Sequence, residues 1–188
     1  MFTLESLILA GGKATRMSGV DKGLQEYLGR PLIEYAVDLA ELYSEKVLIS
    51  VNRNQEAYRD YSDYLISDLD EYSDKGPLGG LASAKNSLSS SHLLVLPCDT
   101  PKVSQQAIRA LVKCAQKSPN LIHFISTESG HHPLHGVVPV SCLSLLDDYL
   151  KSAERLGVMA FYNHVGCQSY HWANDSELDN INLLEQLR

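Results

Sequence analysis

No stretch of this 188-residue chain approaches the ~20 consecutive apolar residues that a membrane span needs. The opening residues, Met1-Phe2-Thr3-Leu4-Glu5, lack a basic segment followed by an apolar one, so no secretory signal is expected. Cysteine is scarce. Cys98, Cys114, Cys142 and Cys167 are widely spaced and form no C-x-x-C pair, which argues against a zinc knuckle or a disulfide framework. They read as reduced thiols of a cytoplasmic protein. Positive charge is also short: 16 Lys and Arg against 23 Asp and Glu give a net charge of −7. Broad nucleic-acid binding through a basic surface is therefore not expected. Two common phosphate-loop patterns are missing too. Gly12 is not followed by the second glycine and Lys-Ser/Thr of the mononucleotide P-loop, and the adjacent Gly11 and Gly12 do not make G-x-G-x-x-G.

What is present starts at the N-terminus. An apolar run, Leu7-Ile8-Leu9-Ala10, breaks into Gly11-Gly12-Lys13-Ala14-Thr15-Arg16-Met17, followed by Asp21-Lys22-Gly23-Leu24. A short buried strand opens into a glycine turn with cations close behind. Without a Cβ, glycine lets backbone N–H groups approach an anion. Arg16 can fork onto phosphate oxygens and Lys22 can act as a point charge. In an acidic chain these cations read as a local phosphate site; a plain strand-to-helix turn is the competing reading.

The length fits one domain over residues 1–188, and the 44% hydrophobic share is ordinary for a globular protein. Strands are expected at Leu4 to Leu9, Lys46 to Val51, Leu65 to Ser67, Leu93 to Leu96, Leu121 to Ser126, His135 to Val140 and Cys167 to Trp172. Helices are expected from Pro31 as first residue through Leu42, from a Ser104 cap to about Lys117, from a Ser141 cap through Leu150, over Val158 to Tyr162, and over Leu183 to Leu187. Gly76-Pro77-Leu78-Gly79-Gly80 reads as a loop feeding a helix from Leu81 to Leu88, too glycine-rich to start one. Tyr58, Tyr61 and Tyr64 recur at helical spacing, as a packing stripe. Alternating strands and helices predict a three-layer α/β/α, Rossmann-like domain with a mostly parallel sheet. Ligands of such sheets lie beyond the carboxyl ends of the strands, which puts the glycine loop, Asp68 and Asp99 on one rim.

Asp99 follows the most hydrophobic strand, between Pro97 and Pro101. A carboxylate there, facing nucleotide phosphates, suits Mg²⁺, which takes one or two carboxylates plus phosphates and waters; capping of the turn is the alternative. Asp68 could hold a ribose or base edge, or belong to a solvated acidic loop with Asp70, Glu71 and Asp74. His131, His132 and His135 form a cluster. On a strand, positions 131 and 135 would share a face, but with no third ligand at motif spacing a substrate-cleft lining is preferred to zinc.

In this order, Leu9-Ala10-Gly11-Gly12, Arg16-Met17, Asp21-Lys22-Gly23-Leu24, Gly76-Pro77-Leu78-Gly79-Gly80 and Pro97-Cys98-Asp99-Thr100-Pro101 resemble the molybdenum cofactor guanylyltransferases, the MobA family. The resemblance implies a nucleotidyltransferase fold and transfer of GMP from GTP to the molybdenum–molybdopterin cofactor, with release of pyrophosphate. By position, Leu9, Ala10, Gly11, Gly12, Lys22, Ser50, Asp68 and Asp99 would bind the nucleotide; Asp99 would also bind Mg²⁺. Arg16, Lys22 and Asp99 would carry catalysis. His132, Arg155, Asn180 and Asn182 are the candidates for the pterin side. Implied partners are GTP, the molybdopterin cofactor, molybdopterin-handling proteins and acceptor molybdoenzymes, with neither nucleic acid nor membrane. The chain departs from the pattern at Ser50, where the family often has Asn (Asn52 lies two residues on), at Leu134 in an H-P-T-like segment, and at Leu183-Leu184 after Asn180-Ile181-Asn182. A cytidylyltransferase, a sugar-phosphate nucleotidyltransferase and a non-catalytic cofactor carrier are the competing functions.

Overall fold

Side chains that alternate between two apolar faces organise the molecule. In β1 (Leu4–Leu9), Leu7 and Ile8 are both fully buried but join different cores. The same split separates Leu48 from Ile49 in β4 (Val47–Ser50), and Leu93 and Val95 from Leu94 and Leu96 in β6 (His92–Pro97). A strand buried on both faces needs helices on both sides of its sheet. The computed structural model, which describes residues 1–11, 21–153 and 156–181, has that architecture.

A small hairpin, β2 (Glu26–Tyr27) and β3 (Arg30–Pro31), precedes α1 (Leu32–Glu41). After β4 come the single-turn α2 (Gln55–Tyr58), β5 (Tyr64–Ile66) and α3 (Pro77–Ala84). Beyond β6 the chain runs through α4 (Gln105–Lys117), β7 (Ile122–Thr127), β8 (Gly130–Pro139), α5 (Leu146–Ser152), α6 (Val158–Val165) and β9 (Cys167–His171). The seven-stranded sheet has the order β5-β4-β1-β6-β8-β7-β9. Strand β8 runs antiparallel to β6 and β7; the other pairings are parallel. Helices α1 and α4 pack on one face. Residues of α3, α5 and α6 fill the core on the other. Among the described residues no helix is long and apolar enough to cross a membrane.

Several local expectations need correction. Pro31 is the N-cap of α1 and pairs with Glu26, so the helix begins at Leu32. Gly79 and Gly80 lie inside a helix that starts at Pro77 and ends at Ala84. A Cβ on Gly79 would lie 2.6 Å from the Tyr72 carbonyl oxygen, and one on Gly80 would lie 2.8 Å from Ser50 Oγ. These glycines are there for close approach, which outweighs their poor helix propensity. Ser141 falls within a 3₁₀ stretch and its side chain caps no helix; α5 starts at Leu146. Tyr58, Tyr61 and Tyr64 do not share a helix face: α2 stops at Tyr58, and Tyr64 already belongs to β5. The expected helix from Leu183 lies outside the described residues. The Ser104 cap is present, accepting a hydrogen bond from Ala107 N at 3.2 Å.

Candidate active site

Because β5, β4, β1 and β6 are parallel, their carboxyl ends emerge on the same rim. Leu9, Ala10 and Gly11 leave β1 there. The amides of Ala10 and Gly11 both donate to the Ser50 carbonyl, at 3.0 and 2.8 Å. That fork holds the start of the glycine loop against the end of β4. Ala10 is buried, whereas Gly11 is exposed at the rim. Ser50 is only 3% exposed, and its hydroxyl lies beneath Gly80. Two residues on, Asn52 is exposed and pairs with Asp68. Its Nδ2 donates to Asp68 Oδ2 at 2.9 Å and its Oδ1 accepts from Asp68 N at 2.8 Å. This reciprocal pair fixes the half-buried Asp68 carboxylate at the end of β5.

Across the rim, Lys22 Nζ donates to Asp99 Oδ2 at 2.5 Å, with the side chains 24% and 20% exposed. Both charges therefore remain within reach of solvent and of a ligand. The Asp99 carbonyl accepts from Ile181 N at 2.8 Å, which returns the C-terminal segment to this turn. Glu177 supports that return, because its Oε2 accepts from both Ser104 N and Trp172 Nε1. Asn180, next to Ile181, is exposed. Beside Asp99, burial pushes the Cys98 thiol up to about 12. It stays protonated at neutral pH and is no nucleophile.

The histidine cluster is arranged differently from a simple alternation. A register shift in the β7–β8 ladder, between Phe124 and Ile125, leaves residues 133–135 as extra chain. As a result His132 and His135 face each other, ring centroids 6.3 Å apart, while His131 packs against Phe124. His135 is 2% exposed, and its Nε2 hydrogen-bonds Thr100 Oγ1 at 2.8 Å. Burial, and to a lesser degree His132, push its pKa down to about 3, so the imidazole is neutral. Among the described residues no three His, Cys, Asp or Glu side chains are grouped to hold a metal ion. Asp99 still suits Mg²⁺: it is one part-exposed carboxylate at a rim where nucleotide phosphates and water would complete an all-oxygen set.

The rim thus brings together Leu9, Ala10, Gly11, Lys22, Asp68 and Asp99. His132 connects to it through His135 and Thr100, and Asn180 through Ile181. Ser50 lies under the rim rather than on it. Gly12, Arg16, Arg155 and Asn182 lie outside the described residues. Three contributors lie in or next to recognised motifs, but their tasks carried no local signal. Asp21 accepts from Tyr58 and Asn54, Asn52 orients Asp68, and Thr100 pairs with a histidine 35 residues away.

Comparison with known proteins bears on the family and the fold. Residues 6–166 match the MobA-like NTP transferase domain. A molybdenum cofactor guanylyltransferase of Pseudomonas fluorescens is 34% identical over 97% of this chain and 90% of its own length. Another, from Pseudomonas syringae pv. tomato, is 36% identical over 94% and 87%. The crystal structure of molybdopterin-guanine dinucleotide biosynthesis protein A from Archaeoglobus fulgidus superposes with a TM-score of 0.75 at 17% identity, covering 97% and 94%. With Gly11, Lys22 and Asp99 on one rim of such a sheet, the chain is a nucleotidyltransferase and belongs to the family of the MobA-like NTP transferase domain.

Proposed function

We propose that this enzyme transfers GMP from GTP to the terminal phosphate of the molybdenum–molybdopterin cofactor, forming the guanine dinucleotide cofactor and pyrophosphate with Mg²⁺. The observation that carries the reading is the Lys22–Asp99 pair, on the rim where Gly11 and Asp68 also leave their strands. A cation and a metal-competent carboxylate at the same point suit phosphoryl chemistry, whereas a cofactor carrier needs neither.

The mechanism follows from charge. The acceptor's phosphate monoester is largely ionised at neutral pH, its second pKa being about 6, so it attacks the α-phosphorus without a general base. This agrees with the protonated Cys98 next to Asp99 and with the buried, neutral His135, which is hydrogen-bonded to Thr100. The obstacle is repulsion between two polyanions. The Lys22 ammonium would offset it and stabilise the leaving pyrophosphate, while the Ala10 and Gly11 amides, both donating to the Ser50 carbonyl, hold the turn in place. Asp99 would hold Mg²⁺, which supplies charge neutralisation on the phosphate oxygens when bound. Lys22 then exchanges its contact with Asp99 for one with the nucleotide. Asp68, fixed by Asn52, presents two acceptor oxygens to the nucleoside. Ser50 supports the glycine turn from below, and Asn52 takes the exposed place beside the nucleotide. Arg16 and Gly12 would complete the phosphate side; His132, Arg155, Asn180 and Asn182 would line the acceptor side. The test is pyrophosphate release by the purified chain with GTP, Mg²⁺ and molybdenum–molybdopterin. Release that requires the acceptor is expected; GTP bound and returned unchanged would make the chain a carrier.

A further inference from the structure

Lys22 sits on a short segment whose geometry has an unexpected foundation. The ring of Tyr58 is fully buried in the core beneath the rim. Its hydroxyl donates to Asp21 Oδ1 at 2.6 Å, and a Cβ on Gly23 would lie 2.4 Å from the same oxygen. One hydroxyl therefore touches the residues on both sides of Lys22, hydrogen-bonding one and leaving the other room for no side chain. Asn54, in the left-handed region at φ 54°, completes the arrangement by donating to Asp21 Oδ2 at 3.1 Å. Both oxygens of the buried Asp21 carboxylate are thus engaged.

We propose that Tyr58 is a positioning residue for nucleotidyl transfer: its hydroxyl, with Asn54, seats Asp21 and Gly23 and so aims Lys22 at the phosphate rim. The inference rests on the reading of Lys22 as the cation that meets the nucleotide phosphates. Free to swing, a lysine spends little time in one geometry; anchored on both flanks, its chain starts from a fixed Cα. Misplacement of a charged group by about 1 Å can reduce rate by about a hundredfold. Burial and the hydrogen bond to Asp21 raise the pKa of Tyr58 far above its ordinary value, which keeps the hydroxyl proton available as donor.

The test is a double-mutant cycle on the full chain, read as single-turnover pyrophosphate release with enzyme in excess. Tyr58→Phe is expected to lower the rate constant roughly tenfold in the wild-type background. In the Lys22→Ala background it should change nothing beyond about twofold, because there is no ammonium left to aim. Asn54→Gly keeps the left-handed backbone, removes the amide and should lower the rate in the same direction, which covers the case where Tyr58→Phe fails to fold. Full activity of a folded Tyr58→Phe or Asn54→Gly variant, or an equal Tyr58→Phe effect with and without Lys22, would overturn the proposal. Wild-type turnover in Lys22→Ala alone would instead overturn the phosphate reading on which it rests.

Discussion

Asp99 and Lys22 stand 77 residues apart in sequence and 2.5 Å apart in space. An ion pair that keeps this contact with solvent contributes only about 0–1 kcal/mol to folding, and in the proposed mechanism its value is chemical. Asp99→Ala is accordingly expected to abolish pyrophosphate release while far-UV circular dichroism and the unfolding midpoint stay close to wild type. Unchanged turnover in that variant would remove Asp99 from the mechanism. The residues of this pair were legible because each sits in a short motif after an apolar strand. Asp21 was not: its motif was visible, but its task depends on Tyr58, 37 residues away. The same is true of His135, whose partner Thr100 is reached only through the displaced register of β8.

At the scale of elements, the glycine pair of α3 makes the sharpest case. Replacing glycine by alanine inside a helix normally stabilises it by about 1 kcal/mol. Here the sign should reverse, since an added methyl at Gly79 meets the Tyr72 carbonyl and one at Gly80 meets Ser50 and Leu9. Loss of roughly 1–3 kcal/mol is expected for each alanine variant in urea unfolding. A gain in stability at either position would contradict the close-packing account. Propensity alone reads this segment as a loop, because the packing that favours glycine comes from the preceding 3₁₀ turn at Gly79 and from the ends of β1 and β4, distant in sequence, at Gly80. By contrast, α4 was readable from its Ser104 cap, a signal local to the element, and the structure buries Ala107, Ile108, Leu111, Val112 and Ala115 along it. The reversed direction of β8 leaves no such trace, since antiparallel and parallel strands buried in the same sheet carry the same apolar run.

For the molecule as a whole, the layered α/β/α arrangement was legible in the alternation of apolar strands and amphipathic helices, and so was the shared rim. Buried neutral histidines add a property of the whole fold. His135 is pushed down to about 3, and burial also lowers His92 and His132 from their ordinary value near 6.5. The unfolded chain then binds more protons than the folded one below pH 6.5. For His135 this stability is complete above that pH and is lost on acidification towards pH 3, by up to about 1.4 kcal/mol per pH unit, and His92 and His132 act in the same direction. Lowered carboxyls at Glu5 and Asp147 act in the same direction at lower pH. Thermal midpoints should therefore fall from pH 7 to pH 4.5, with a shallower slope in His135→Gln; an equal slope in that variant would remove His135 from the effect. Whether the chain transfers a guanylyl group is decided by one competition between nucleotides. The purified chain is given molybdenum–molybdopterin, Mg²⁺ and equal GTP and CTP, each labelled at the α-phosphate. Label from GTP is expected in the dinucleotide product, with pyrophosphate released in step; label arriving from CTP instead would rule out guanylyl transfer.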